Sequence, residues 1–588
     1  VFSTHLYTGD YGAGTEVNGI DLAGEGGMVW TKARDNADNH TIIDTEGGGT
    51  KWRRSNDYSV EATASNMITS FNSNGYTRGN NGQISDQNYF VSWTFRKKEK
   101  FFDIVTWSGN STAGRQISHG LDGPVGFMIC GCTSGATDWS TYNSTDGAGK
   151  YNKLNGSYHS ISNTNIWNNT APTSTHFTVG TLGQINETGK TYTAYLFSDN
   201  SSEDAEEQMI KCGGYTGNQS ATGPVVNLGW EPQWLMVKQT TLVADPADWI
   251  IVDNMRGWAT GSADERLYAN SSGAENSTEI GIDITSTGFK LTTNGEQTNK
   301  NNAQYIYMAI RAPMMVEPEA ATDVFNIDTA GANGDGVEPS YRSTFPVDFA
   351  LHVRTGSGGP QAYSRLTGPK YLYTDSTNDE GETSQSTWDF MNGWFNQNSS
   401  QSTSTGQVAH MWKRAKGFFD VVAWNQPNDT ANTLVNHSLG VAPEMIWTKC
   451  RDAGRGWVVY YGSATHFLQL NQHYAHDTQQ PHNTINETSF KVNGSLSGEI
   501  GGNNNYISYL FATLAGISKV GSYTGNGSSQ TISCGFSAGS RFILIKRVDV
   551  ASAYEGWWLW DATRGIVSGN DPHKRLNHNG SQVDTADS

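Results

Sequence analysis

Apolar and polar positions alternate over short stretches along the whole chain, and Gly, Asn, Asp or Ser interrupts the pattern every few residues. The block Ser522 to Gly565 shows it most completely. Tyr523-Thr524-Gly525 runs into a polar turn, Asn526-Gly527, and a strand-like segment, Gln530-Thr531-Ile532-Ser533-Cys534. An apolar run, Phe542-Ile543-Leu544-Ile545, exits through Lys546-Arg547-Val548-Asp549, and an aromatic run, Trp557-Trp558-Leu559-Trp560, ends at Asp561 with Arg564-Gly565 beyond. β-Branched and aromatic runs bounded by turn formers predict strands joined by tight turns.

The same order of features recurs. Tyr7-Thr8-Gly9, Trp107-Ser108-Gly109 and Tyr215-Thr216-Gly217 open three copies, and a degraded opening lies near Thr329-Ala330-Gly331. Apolar runs ending in a basic residue follow: Met28-Val29-Trp30-Thr31-Lys32, Trp234-Leu235-Met236-Val237-Lys238 and Met445-Ile446-Trp447-Thr448-Lys449. Copies close on Val91-Ser92-Trp93-Thr94-Phe95, Thr193-Ala194-Tyr195-Leu196-Phe197, Ile306-Tyr307-Met308-Ala309-Ile310 and Ile507-Ser508-Tyr509-Leu510-Phe511, with Val408-Ala409-His410-Met411-Trp412 a weaker instance. Alternate residues of a strand share a face, so Val91, Trp93 and Phe95 are expected to point one way. The best-matched segments, Phe101-Phe102-Asp103-Ile104-Val105 to His119-Gly120-Leu121 and Phe418-Phe419-Asp420-Val421-Val422 to His437-Ser438-Leu439, mark duplication.

The expectation is an all-β chain, a tandem array of about six small antiparallel β-sandwich modules of lectin or jelly-roll type. Their spans are 1–97, 98–205, 206–316, 317–416 (divergent), 417–516 and 517–588 (incomplete). Each is about the size of one small domain. No long helical periodicity is present; Ser202 to Met209 and Pro313 to Ala321 read as acidic junctions. The sixth copy stops before a closing strand and the chain begins at Val1, so the sequence reads as a piece of a longer protein.

Composition sharpens this picture in three ways. Charged residues make up only 16% of the chain and aromatics 11%, so each module has rings to bury under an amide- and hydroxyl-rich surface. The net charge of −18 argues against nucleic acid as a partner. No apolar run approaches the ~18–20 residues a membrane helix needs, so no membrane insertion is expected. Five scattered cysteines, Cys130, Cys132, Cys212, Cys450 and Cys534, do not form a disulfide framework and read as buried small apolar residues.

Several residue types invite a chemical role. Asp44, Asp253 and Asp561 recur at the end of one strand, the last two as Asp-x-x-Arg-Gly, where a carboxylate could act as base or nucleophile. A turn in which Asp accepts backbone N–H bonds or pairs with Arg256 or Arg564 explains the recurrence better, because a catalytic residue is needed once. His473, His476 and His482 share a polar loop but lack a metal-binding scaffold, and Asp335, Asp375, Asp379 and Glu380 fit no EF-hand register. Sequons at Asn110, Asn186 and Asn526 follow from composition. Trp30, Trp234, Trp447 and Trp557 read as module-core residues. Trp388 and Trp394, set among Asn and Asp, are the candidates for stacking on a sugar ring, although the core is the favoured role for both. No catalytic residue, metal ligand or cofactor is assigned.

The order Tyr-Thr-Gly-Asn-Gly, Phe-Ile-Leu-Ile-Lys-Arg-Val-Asp, Gly-Trp-Trp-Leu-Trp-Asp-Ala-Thr-Arg-Gly and Tyr-Ile-Ser-Tyr-Leu-Phe resembles repeated modules of virion appendage proteins. These are tail-fibre or related structural proteins of tailed bacteriophages, notably marine and cyanobacterial ones. The resemblance implies an elongated, non-enzymatic protein of the virion, an extracellular particle. Its implied partners are other virion proteins, further copies of itself as a homo-oligomer, and a host-surface polysaccharide or receptor. It transfers no binding residues. Two other classes stay open: a secreted bacterial surface adhesin, and carbohydrate-binding modules of a polysaccharide-degrading enzyme.

Overall fold

A computed structural model describes residues 1–577 except 202, 205–206, 242–246, 262–263, 277–280, 330–337, 355–358, 384–385, 397–406, 496–497, 551–555 and 566–572. The fourth opening at Ala330-Gly331, residue 206 at a module boundary and Asp335 therefore lie outside the described residues. The fold is all-β. Among the described residues α-helix is confined to three single turns, Gly82–Ser85, Gly183–Asn186 and Glu296–Asn299.

One topology repeats. In the first module the opening strand Phe2–Thr8 pairs antiparallel with the closing strand Tyr89–Arg96. The closing strand pairs on its other edge with an inner strand, Gly27–Ala33, which in turn pairs with an outer strand, Thr41–Asp44. The same order is built from Phe102–Ser108, Thr191–Ser198, Val125–Cys132 and Ser140–Asn143. It recurs with Ile210–Thr216, Gln304–Arg311, Pro232–Gln239 and Ile250–Asp253. Phe325–Thr329, Gln407–Trp412, Phe349–Arg354 and Gln361–Ser364 form a fourth copy. Phe419–Gln426, Asn504–Phe511, Met445–Cys450 and Val458–Tyr460 form a fifth. In the sixth, Phe542–Ile545, Trp558–Asp561 and Lys574–Arg575 pair in line.

A smaller sheet covers each of the first five main sheets, for example Gly14–Val17, Gly75–Arg78 and Ile68–Asn72 in the first module. Between the layers lies the module's own core, such as Val29, Ile43, Met67 and Tyr76 in the first and Val422, Ile446, Val458 and Leu510 in the fifth.

The opening motif has a physical reason. The aromatic ring bonds to the helical turn before the closing strand: Tyr7 Oη to Ile84 O (3.0 Å), Trp107 Nε1 to Ile185 O (3.0 Å) and Tyr215 Oη to Thr298 O (2.8 Å). This draws two backbones together at the glycine two residues on. A Cβ there would sit 1.8 Å from Asp86 O at Gly9, and 2.2 Å from Glu187 O at Gly109 and from Lys300 O at Gly217. Only glycine fits such an approach.

The chain divides into two compact units, Val1–Ala312 and Pro313–Ser588, each holding three modules. Within each unit every module bonds to both others. Each unit thus closes as a three-module ring.

Candidate functional site

The seams of these rings gather the recurring Asp residues and several of the tryptophans singled out above. A sheet covered on one side normally alternates buried and exposed residues. Here the inner strand Gly27–Ala33 is buried throughout, because its second face meets the neighbouring modules. Trp30 pairs with Trp93, and Met28 with Phe95, on that second face. In the first unit Phe95, Phe197 and Trp234, one ring from each module, meet at centroid distances of 5.4 Å (Phe95–Phe197) and 6.1 Å (Phe95–Trp234). In the second unit Phe349 packs on Tyr509 at 4.5 Å and Trp412 on Phe542 at 5.4 Å. Trp30 and Trp234 thus fill the space between modules rather than a module core.

Four polar contacts recur around the rings. First, the residue opening the outer strand donates its ring N–H to a carbonyl of the preceding module. Trp139 Nε1 bonds Arg54 O (2.8 Å), Trp249 Nε1 bonds Lys153 O (2.8 Å), and His40 Nε2 donates to Tyr268 O (3.0 Å), closing the first ring. Trp457 and Trp557 do the same to Tyr373 O and Gln469 O, both at 2.9 Å. Trp557 is thus a seam residue too.

Second, the backbone N–H of that residue is clamped by an Asn side chain. Asn56, Asn155, Asn270, Asn471 and Asn577 accept from His40, Trp139, Trp249, Trp457 and Trp557 at 2.8–3.0 Å.

Third, the recurring Asp is a seam acceptor. Asp253 takes Arg256 N (3.0 Å) and Arg256 Nε (2.6 Å), as expected of a turn carboxylate, and also Trp93 Nε1 from the first module (3.0 Å). Asp561 takes Arg564 N (2.8 Å), Arg564 Nε (2.6 Å) and His410 Nε2 of the fourth module (3.1 Å). Asp44 takes Tyr195 Oη of the second module (2.6 Å), with Arg53 Nη2 bonded to the same oxygen of Tyr195 (2.7 Å). One of the missing instances, in the second module, is accounted for by its partner. Asn143 replaces Asp in the second module, and the third module's closing strand carries Met308, which has no group to donate, at the register of Trp93 and Tyr195.

Fourth, a buried lysine near the end of the inner strand ties two loops together. Lys238 Nζ donates to Ala247 O and to Gly156 O of the second module. Lys449 Nζ donates to Arg455 O (2.6 Å) and to Thr377 O of the fourth module (3.1 Å). Burial drives the Lys238 ammonium down to about 7 against the pull of Asp248, and Lys449 down to about 8. At the seam between first and third modules Arg34 and Arg256 converge on Glu275, with contacts of 2.7 and 2.5 Å. Burial opposes ionisation of Glu275, but the two guanidinium groups outweigh it and hold its carboxyl below its ordinary value.

The remaining candidates scatter. Trp388 and Trp394, offered for sugar stacking, are 2% and 0% exposed and lie in the fourth module's core. Their N–H groups bond Gly368 O (2.8 Å) and Ser386 Oγ (3.0 Å), so neither ring presents a face to a ligand. His482 is buried against Thr448 Oγ1 (2.9 Å); His476 instead packs on His466, with centroids 4.1 Å apart. No three His, Cys, Asp or Glu side chains converge as a metal-binding group among the described residues. Glu380 is engaged by Arg451 at 2.8 Å. Cys130, Cys132, Cys212 and Cys450 are buried free thiols. Asn186 is buried with its amide bonded to Thr112 O and Gly180 O.

An open cleft of about 530 Å³ lies where the first module hands over to the second, lined in part by Lys97, Asp103 and His119. Asp103 there accepts Ile104 N and Gly120 N, and Asp420 accepts Val421 N and Ser438 N, so the duplicated Asp and His segments are turn anchors. Among the described residues no helix is long and apolar enough to cross a membrane.

The molecule is thus a tandem all-β protein of repeated two-layer modules. The chain belongs to the family described as "Domain of unknown function (DUF7483)", which matches residues 1–313 and 367–588. No curated protein matches it.

Proposed function

We propose that the chain is a structural component of a bacteriophage virion appendage, a tail fibre or similar fibre, that attaches to the host surface through several weak, glycan-directed contacts. One observation carries this reading. Five buried groups able to do acid–base chemistry, Asp253, Asp561, His410, Lys238 and Glu275, are spent on holding modules together. What such a scaffold offers outward is a set of polar loops on a rigid support, and linked weak sites gain avidity without any new contact. Shallow, wet contacts suit polysaccharide better than an enclosed substrate does. Mass spectrometry of purified particles of the encoding phage tests the assignment, which requires this chain at structural copy number. Its absence from particles, with abundance in the lysate, would remove the virion role.

A further inference from the structure

We infer that Tyr58, Tyr158 and Tyr474 are the rings on which the chain stacks host polysaccharide, an inference that rests on the attachment reading above. Three observations converge on them. Each sits in the loop that follows the clamping Asn, two residues after Asn56 and three after Asn155 and Asn471. Each ring is solvent-exposed, at 64%, 64% and 55%, in a chain whose other aromatics are mostly packed into cores and seams. Tyr11, Tyr89 and Tyr523 are exposed as well, but Ser111 and Gln219 stand in the place of Tyr11, and Thr191 and Gln304 in that of Tyr89, in the next two modules, while Tyr523 is the opening aromatic of the sixth copy, so each exposure is local to one copy.

The loops are also held still, and they are held by the seams. In the second module, Lys153 O, two residues before Asn155, accepts Trp249 Nε1, Gly156 O accepts Lys238 Nζ, and Ser160 N donates to Thr240 O. In the fifth, Gln469 O accepts Trp557 Nε1, His473 O accepts Lys546 Nζ, and His476 N donates to Val548 O. Tyr158 and Tyr474 thus stand between anchors supplied by the following module. In the first module Arg54 O accepts Trp139 Nε1, and Asp57 caps Ser59 N and pairs with Arg54 (3.2 Å).

A tyrosine on a pre-ordered loop loses little entropy on binding and offers an apolar face beside a hydroxyl. That combination fits a pyranose ring, which has an apolar C–H face and an equatorial belt of hydroxyls. Polar neighbours stand close by: Lys153 Nζ is 5.8 Å from the Tyr158 ring centroid, and the His473 ring is 4.6 Å from that of Tyr474.

The test uses the full chain on an array of bacterial O-antigen and capsular polysaccharides. The triple variant Tyr58→Ala, Tyr158→Ala, Tyr474→Ala should melt like the parent and lose at least ~10-fold in apparent affinity, each single variant losing less. The matching triple Trp variant should bind at least as tightly as the parent. Full binding by the triple Ala variant would overturn the tyrosine assignment and leave the attachment reading standing. A loss that Trp does not restore would overturn stacking as the mode. A parent chain that binds no polysaccharide on the array would overturn both.

Discussion

The bond from Trp93 to Asp253 joins the first module to the third, and its removal tests whether the recurring Asp is a seam residue. Both side chains are 0% exposed, the N–H to carboxylate distance is 3.0 Å, and the Arg256 guanidinium lies 5.4 Å from the Trp93 ring centroid. Trp93→Phe keeps most of the buried ring and deletes one hydrogen bond to a charged acceptor, a loss of about 1.5–3 kcal/mol. Asp253→Ala strips that acceptor and leaves buried Arg256 with Glu275 as its remaining acidic partner, which should cost about 3–5 kcal/mol. If the two groups act on each other across the seam, the double variant should be less destabilised than the sum by about 1–2 kcal/mol. Equilibrium urea unfolding of the full chain, followed by tryptophan fluorescence and far-UV circular dichroism, reads all four corners of the cycle. Additivity to within about 0.5 kcal/mol would refute the coupling. Loss of polysaccharide binding in a folded Asp253→Ala chain would contradict the structural role itself.

Further outcomes are expected. Lys238 has a folded pKa of about 7 against 10.5 when exposed, so it favours the folded state above that range and the benefit is lost as pH falls through about 7. Lys238→Met should flatten the rise in melting temperature between pH 7 and 10, and an unchanged slope would contradict the assignment. In the fourth module Asp375 occupies the register of the clamping Asn, but Pro360, which faces it, has no N–H to give. Burial raises the Asp375 carboxyl to about 6, so its contribution to stability is present below about pH 4 and lost as pH rises through 6. Asp375→Asn should stabilise the chain at pH 8 and do nothing at pH 4; equal effects at both would be contrary. Trp388→Ala should cost roughly 3–5 kcal/mol in urea unfolding, as for a large buried ring, while polysaccharide binding by the folded chain stays unchanged.

Much of the fold is legible in the sequence because strand periodicity and turn residues are local properties. The openings at Tyr7 and Tyr215, the closings at Val91 and Ile306 and the outer strands ending at Asp44, Asp253 and Asp561 all occupy strands. The rings were not legible from that pattern. A closing strand with Trp93 and Phe95 on one face signals a buried face without saying which module covers it, since the covering residues, such as Trp234 and Asp253, lie about 140–160 positions away. One signal was present all the same: a basic residue ends the inner strand at Lys32, Lys238, Lys449 and Lys546, inside otherwise apolar runs. A recurring charge in such a run needs a recurring partner: a neighbouring module's loop carbonyl supplies it to Lys238, Lys449 and Lys546, whereas Lys32 bonds Ala33 O and Asn36 O of its own module. Trp388 and Trp394 take the favoured core role, because their polar neighbours in sequence are not their neighbours in space. The exposed tyrosines carried no mark at all, since Tyr58 and Tyr158 read like any aromatic until the strands around them are placed.

Immunogold electron microscopy of the phage proposed to encode the chain, with antibody raised against the full chain, tests the account most directly. Gold on an appendage of intact particles, and blocking of adsorption to host cells by the same antibody, is the predicted result. Particles that carry no label, in a lysate where the antibody detects the chain free of virions, would contradict the proposed role.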